Sequence, residues 1–219
     1  MEKYINILRN CPLFNSIDNA NLIKMLKCLG AKIEKYEKEE TIIAEGNQSD
    51  YICIVLSGLA QISQIDYYGN RSILSNIEKS QIFNEAFACA KPNYVPVSVV
   101  ANEPCEVMFI DCNHILHTCA NGCGFHHQLI YNLMKELATK TIQYYERIES
   151  TSKRTTREKL LAFLSNEARK NNTNDFYIPF DRQELADYLE VDRSGLSAEI
   201  SKLRNEGVIE CRKNNFKIL

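Results

Sequence analysis

The spacing of hydrophobic positions divides the chain into three stretches. From Ala31 to about Asp111 the apolar residues come in short runs rich in Ile, Val, Tyr and Phe, at 41–44, 51–56, 60–65, 71–77, 97–101 and 106–110. The runs are separated by Glu45-Gly46-Asn47, Ser57-Gly58 and Tyr68-Gly69-Asn70. Gly and Asn reach positive φ at low cost, as tight connections between strands require. Short strands at regular spacing with such turns predict an antiparallel sandwich or roll.

From about Gly124 to Ser150 the period lengthens. His126, Ile130, Leu133, Leu137, Thr141, Tyr144 and Ile148 recur at spacings of 4, 3, 4, 4, 3 and 4, one stripe of a long helix. Lys135, Glu136, Lys140, Gln143, Glu146 and Arg147 occupy the opposite face. A long helix with a narrow apolar seam needs a partner. Self-pairing over 125–149 is the economical solution, and packing on its own chain is the alternative.

The last stretch, 153–219, carries local signals at nearly every boundary. Thr155 or Thr156 can cap a helix over 157–169 whose Leu160, Leu161, Leu164 and Ala168 point inward. A strand-like run at 176–180 precedes Asp181-Arg182-Gln183-Glu184, a capping box with the cap residue and the acidic residue three apart. A short helix with Leu185, Ala186 and Leu189 follows, then a turn at Glu190-Val191, then Asp192 as a second cap. The next helix, 193–206, places Leu196, Ile200 and Leu203 inward and stops at Gly207. Two short strands around Lys213-Asn214-Asn215 complete the order of a winged helix-turn-helix. The expected class is α+β: an N-terminal double-stranded β-roll of jelly-roll type over 1–124, a dimerisation helix and hinge over 125–152, and the winged module over 153–219.

Composition adds boundaries. With 219 residues, 45% hydrophobic and 25% charged, the chain is neither low-complexity nor collagen-like. No apolar run approaches the ~20 residues of a membrane span, and the start Met-Glu-Lys-Tyr-Ile-Asn lacks an export signal. A cytoplasmic protein with no membrane partner is expected. The nine cysteines then read as reduced thiols. Residues 1–152 hold 13 Lys and Arg against 17 Asp and Glu, whereas 153–219 hold 13 against 11. The more positive balance at the C-terminal end fits an anionic partner.

A helix entering the major groove end-on presents its first residues to base edges. Here these are Arg193, Ser194, Ser197 and Ala198. Arg193 can donate two parallel hydrogen bonds to guanine O6 and N7, and Ala198 offers a methyl group to thymine. Arg182 and Gln183 open the preceding helix. With Thr155, Lys202, Arg212 and Lys213, and further Thr156 and Arg157, they are candidates for phosphate contacts, which position without reading sequence.

The run Arg182-Gln183-Glu184-Leu185-Ala186-Asp187-Tyr188-Leu189-Glu190-Val191-Asp192-Arg193-Ser194-Gly195-Leu196-Ser197 resembles the helix-turn-helix of the CRP/FNR transcription regulators. The strands from Gly46 through Gly58, followed by Phe83-Asn84-Glu85-Ala86, resemble the glycine and Phe-Gly-Glu landmarks of that family's roll. The resemblance implies a homodimeric regulator, not an enzyme, that answers an effector and binds double-stranded DNA at a pseudo-palindromic site, working with RNA polymerase.

The departures bear on the effector. Cyclic-nucleotide binders of the family resemble Phe-Gly-Glu followed some ten residues later by Arg-Ser, whose Arg pairs with the cyclic phosphate. Here Asn84 replaces the Gly, and Tyr94-Val95-Pro96-Val97-Ser98 contains no Arg. A buried phosphate without a cation is costly, so cyclic AMP is not expected. Another small molecule or a redox signal is. Phe83, Asn84, Glu85, Val95 and Pro96, with Thr141 and Tyr144 from the helix, are the candidate pocket residues, and structural packing is the competing account of them. In the winged module, Glu190 stands where relatives often place Gly, and Ala198 where many place Arg.

All four histidines fall within 14 residues, interleaved with Cys112, Cys119 and Cys123. Cys119, Cys123 and His126 are the candidate ligands for a metal- or haem-dependent sensor. Their spacing is not a paired Cys-x-x-Cys framework, and the N-terminal end, with only Cys11 and Cys28, lacks the cysteine cluster of FNR-type iron–sulfur proteins. A cupin-like barrel enzyme is the alternative from another class. It is disfavoured because no His precedes His114 and so none falls on the strands. A ligand-binding module without DNA function is disfavoured by the 181–212 pattern.

Overall fold

The computed structural model describes residues 2–65, 67, 71–117 and 125–219. In chain order the elements are α1 (Ile5–Leu8), α2 (Asn19–Cys28), β1 (Lys32–Tyr36), β2 (Thr41–Ile43), β3 (Tyr51–Ser57), β4 (Ala60–Ile65), β5 (Arg71–Ile77), β6 (Ile82–Phe83), α3 (Glu85–Ala90), β7 (Ser98–Ala101), β8 (Cys105–Asp111) and α4 (Cys112–Leu116). The long helix α5 (Phe125–Thr151) is followed by α6 (Thr156–Asn171), β9 (Asp175–Tyr177), α7 (Arg182–Leu189), α8 (Arg193–Asn205), β10 (Ile209–Arg212) and β11 (Asn215–Ile218). The chain separates into two compact units, Met1–Ala138 and Thr139–Leu219. No described helix is long and apolar enough to cross a membrane.

In the first unit two four-stranded antiparallel sheets, β1-β8-β3-β6 and β2-β7-β4-β5, pack into a roll. Strand β3 explains the longest apolar run. Successive side chains point to opposite faces. Cys53 and Val55 fill the space between the sheets with Val99, Ala101 and Val107. Ile52, Ile54 and Leu56 face a second core built by Leu8, Leu13, Phe14, Leu22, Leu26, Leu129 and Leu133 from the helices. A central strand covered on both faces needs no polar positions, hence five consecutive buried residues. Gly58 turns the chain at the end of β3 with φ +77, and a Cβ there would lie 2.3 Å from the Pro104 carbonyl oxygen and 2.7 Å from Cys105 Cβ.

The seam predicted for α5 divides in two. His126 and Leu133 are buried, and Ile130 and Leu137 pack half-buried against the roll's helical core. Asn132 supports this packing by donating to the carbonyls of Leu13 (3.0 Å) and Asn15 (2.8 Å). The exposed apolar side chains are instead Tyr131 and Met134 in the first unit, and Ile142, Tyr144, Tyr145 and Ile148 in the second. Along one helix Tyr131, Met134, Ala138, Thr141, Tyr145 and Ile148 recur at 3, 4, 3, 4 and 3, the heptad period. Half of the expected stripe is therefore consumed inside its own chain. The solvent-facing stripe is rotated from it.

The second unit closes around Leu160, Phe163, Leu164, Leu185, Ala186, Leu189, Leu196, Leu203 and Phe216. The sheet β10-β11-β9 flanks these helices, and Arg212 pairs with Asn215, so the wing turn is Lys213-Asn214, with Lys213 at φ +54.

Candidate nucleic-acid interface and effector region

Helices α7 and α8 are set by their caps. The Asp181 carboxylate accepts from the Glu184 N–H (2.8 Å), and the Glu184 carboxylate accepts from the Asp181 N–H (2.6 Å). Each thereby satisfies an amide that lacks a helical partner. Asp192 accepts from the Gly195 N–H at 2.8 Å and from the Ser194 hydroxyl. The Ser194 bond, then the Gly195 bond, hold the Asp192 carboxyl below its ordinary pKa. Between the helices Glu190 adopts φ +53, ψ +54, the left-handed conformation in which Gly is the usual residue. Two neighbours stabilise the arrangement. The Val191 N–H reaches the Ala186 carbonyl (3.0 Å), and Lys159 Nζ donates to the carbonyls of Leu189 (3.1 Å) and Glu190 (3.2 Å), placing a cation at the negative end of α7. Lys159 was not singled out from the sequence, because its target is a carbonyl 30 residues away.

Arg193 stands exposed at the first position of α8, and its side chain has no hydrogen-bond or ion-pair partner among the described residues. Ser194 is exposed, but its hydroxyl is engaged with Asp192. Ser197 donates back to the Arg193 carbonyl at 2.9 Å, and Ala198 is exposed one residue further on. Gln183 is exposed and donates to Asp187 Oδ1 (2.8 Å). Lys202, Arg212 and Lys213 are exposed.

Arg182 is half-buried. Its guanidinium lies 5.7 Å from the centre of the Phe216 ring, with Nη2 3.6 Å from Cys211 Sγ. Together with Asp181, Lys213, Asn214, Phe216, Phe180 and Ile178 it lines a cleft of about 220 Å³ between the start of α7 and the wing. The Thr155 hydroxyl is taken up by its own capping box, accepting from the Glu158 N–H and donating to Glu158 Oε2 (3.0 Å). Arg157 bridges Glu199 (3.3 Å) and Glu206 (2.5 Å). Its cation is thus matched by two carboxylates of the same unit, which sequence reading could not reveal at separations of 42 and 49 residues.

In the first unit Phe83 is buried and pairs across to Cys53. Asn84 takes φ +64, so the landmark's left-handed geometry is present without its glycine, and its side chain donates to the Tyr51 carbonyl (2.8 Å). Asn is among the few residues that tolerate this conformation. Glu85 is buried at the first position of α3. Burial, reinforced by the nearby Glu85 charge, pushes the Cys53 thiol pKa up. Val95, ten residues after Glu85, is 1% exposed. Its carbonyl accepts from the Gly46 N–H (2.9 Å), and Pro96 beside it is half-buried. The nearby cation in sequence, Lys91, is occupied by Asp50 (2.9 Å) and Asn113 (3.1 Å). Thr141 and Tyr144 lie in the second unit, both exposed.

Of the candidate metal ligands, Cys119 and Cys123 lie outside the described residues. His126 is 2% exposed, with Nε2 2.9 Å from the His114 carbonyl oxygen. His114 Nδ1 lies 3.1 Å from the Leu29 carbonyl oxygen, and His117 Nδ1 lies 3.0 Å from that of Asn113. Among the described residues no group of three or more His, Cys, Asp or Glu side chains is arranged to hold a metal ion.

Comparison with known proteins adds the following. Residues 33–121 match the family described as cyclic nucleotide-binding domain, and residues 158–219 the Crp-like helix-turn-helix domain. The chain is similar to the transcriptional activator protein FnrL of Cereibacter sphaeroides, 23% identical over 189 residues, covering 80% of this chain and 71% of FnrL. Among solved structures it resembles CprK complexed with OCPA (TM-score 0.67, 13% identity, 90% of each chain). It also resembles the catabolite activator protein of Thermus thermophilus (TM-score 0.51, 18% identity, 95% of this chain and 93% of that one). At these identities the two structures establish the fold.

Proposed function

The chain belongs to the CRP/FNR family of transcription regulators, and we propose that it is a cytoplasmic homodimer that reads a pseudo-palindromic DNA site through α8 and is controlled through its roll by a small molecule other than cyclic AMP or by a redox signal. The relative that matches most of the chain, FnrL, is a transcriptional activator, which favours this reading over the cupin-like alternative. In this reading residues 1–124 sense, 125–152 dimerise and transmit, and 153–219 bind DNA in concert with RNA polymerase.

One observation carries the DNA assignment. Two capped helices, α7 and α8, are joined by a short turn at Glu190 and Val191, and the second offers the Arg193 side chain to solvent with nothing in its own unit to bind. Arg193 would read guanine, with the exposed Ala198 against a neighbouring base. Gln183, Arg182, Lys202, Arg212 and Lys213 would hold phosphates, whereas Thr155 has both its hydroxyl and its N–H engaged with Glu158. The pocket reading rests on Phe83, Asn84, Glu85, Val95 and Pro96 of the first unit. The buried apolar Val95 and the engagement of Lys91 by Asp50 favour an effector other than a cyclic phosphate.

The test is selection of bound sequences from a random double-stranded library, followed by anisotropy titration over a salt series. The expected product is a two-fold symmetric site with half-sites about 34 Å apart. Affinity should fall by roughly 10³-fold or more between about 50 and 200 mM salt. Binding without sequence enrichment would refute the assignment.

A further inference from the structure

Two cysteines far apart in sequence meet in the first unit. Cys89 Sγ, near the end of α3, lies 3.3 Å from Cys112 Sγ, at the first position of α4. That is inside the contact distance of two sulfur atoms, and closing a bond of about 2.05 Å requires only about an ångström of approach. The two backbones are held together independently of the sulfurs. Lys91, left-handed at the end of α3, donates to Asn113 Oδ1 (3.1 Å) and pairs with Asp50 (2.9 Å), whose carbonyl accepts from the Cys112 N–H (2.8 Å). Asp111 fixes the start of α4 by accepting from the Asn113 N–H (2.8 Å). The two thiols differ in access. Cys112 is fully buried, whereas Cys89 is partly exposed.

We propose that Cys89 and Cys112 are a redox-active dithiol, with Cys89 the peroxide-reactive thiol and Cys112 the resolving one. The Cys89 thiolate attacks one oxygen of a hydroperoxide and breaks the O–O bond. Cys89 becomes a sulfenic acid, and the other oxygen leaves as water or alcohol after taking a proton. The Cys112 sulfur then attacks the Cys89 sulfur, the hydroxyl departs as water with the Cys112 proton, and the disulfide closes. The two thiols lose two electrons in all, and the peroxide is reduced by two. The surroundings suit these roles. The hydrogen bond shared with Cys112 lowers the Cys89 thiol pKa, which favours the nucleophilic thiolate at Cys89. The same bond, together with burial, raises the Cys112 thiol, which suits it to the resolving role. The closed bond would link α3, whose first residue is Glu85 of the candidate pocket, to α4. It thereby places a redox input on the helix that carries the effector residue.

The experiment uses the full-length reduced protein. It is treated anaerobically with one equivalent of hydrogen peroxide, alkylated and digested, and the peptides are mapped by mass spectrometry. The expected result is a Cys89–Cys112 linked peptide, 2 Da lighter than the two thiol peptides together and cleaved by dithiothreitol. In Cys112→Ser the expected product is a Cys89 sulfenic acid trapped by dimedone. Because Cys112 is buried, the wild-type map stands alone if that variant does not fold. Cys89 remaining a free thiol, or a dominant link from either residue to Cys119, Cys123, Cys28 or a second copy of the chain, would overturn the proposal.

Discussion

Replacing Arg193 by alanine should separate DNA reading from folding. The side chain is exposed and has no partner in its unit, the Asp192 cap is made to backbone and to Ser194, and the inward residues Leu196, Ile200 and Leu203 are untouched. Stability should therefore stay within about 0.5 kcal/mol of wild type, as for surface substitutions that break no cap or core contact. The effect on DNA is of another size. A two-pronged arginine–guanine contact is worth about 1–3 kcal/mol, or roughly 5- to 150-fold in affinity per half-site. A symmetric dimer loses two such contacts, which add if the half-sites are independent. The assay is anisotropy titration of wild type and Arg193→Ala on the selected site and on variants with each base pair changed in turn. The variant should bind more weakly and lose its preference at one base pair per half-site, with nearly the wild-type salt dependence. If Arg193 instead held a phosphate, all sequences would weaken alike and the salt slope would drop by about one for each copy. Unchanged affinity and base preference would refute the groove assignment, and a lowered unfolding midpoint would show that the side chain supports the fold. Arg157→Ala provides the contrast. It orphans Glu199 and Glu206 and should lower thermal stability while leaving base preference intact.

Four further outcomes follow from the same geometry. Gly58→Ala combines a left-handed φ, costing about 1–2 kcal/mol, with a collision against backbone, costing about 1–3 kcal/mol. Urea unfolding should show a loss of about 3 kcal/mol, and a loss under 1 kcal/mol would contradict the 2.3 Å approach to the Pro104 carbonyl. Glu190→Gly should move the other way, stabilising by up to about 1 kcal/mol, since the 3.8 Å contact to Arg147 that it forfeits is long and exposed. Tyr145→Glu, on the solvent-facing stripe of α5, should shift sedimentation toward monomer without changing the monomer's circular dichroism. For pH, Asp192, Glu158 and Glu206 are all held below their ordinary values, by hydrogen bonds from Ser194, the Thr155 N–H and Arg157 respectively. Depressed carboxyls bind fewer protons folded than unfolded, so their contribution is complete above the ordinary values of 3.8 and 4.5 and is lost as pH falls through the lower folded values. Urea midpoints should hold from pH 7 to about 5 and fall below about 4.

How far the sequence could be read depended on the range of the interaction involved. The caps at Thr155, Asp181 and Asp192 join a side chain to an amide three residues away, so both partners sit in one short window, and the helix-turn-helix follows from them almost residue by residue. The roll was legible for a related reason. Strand period and turn residues are local, and the unbroken apolar run 52–56 of β3 marks a strand buried on both faces. Glycine landmarks misled at Asn84 and Glu190, because a left-handed φ is a property of the backbone. Asn accepts it readily, and Glu accepts it when neighbours such as Lys159 stabilise the turn, so the missing glycine did not mean a missing turn. Helix α5 shows where periodicity fails. A straight helix drifts by about 20° per heptad, and this one gives His126, Ile130, Leu133 and Leu137 to its own core while turning Tyr131, Met134, Tyr145 and Ile148 outward. Two apolar stripes offset by a residue or two merge into one when only hydrophobicity is counted, and only the fold shows which side chains are already taken. The contacts that decide chemistry were the least visible. Arg157 with Glu206, Arg182 with Phe216 and Cys89 with Cys112 span 49, 34 and 23 residues, and no window of sequence contains the geometry that brings them together. For the cysteines this matters most. Sequence alone gives no reason to couple Cys89 to Cys112, whereas among the described residues the fold sets the two at contact, one partly exposed and the other enclosed.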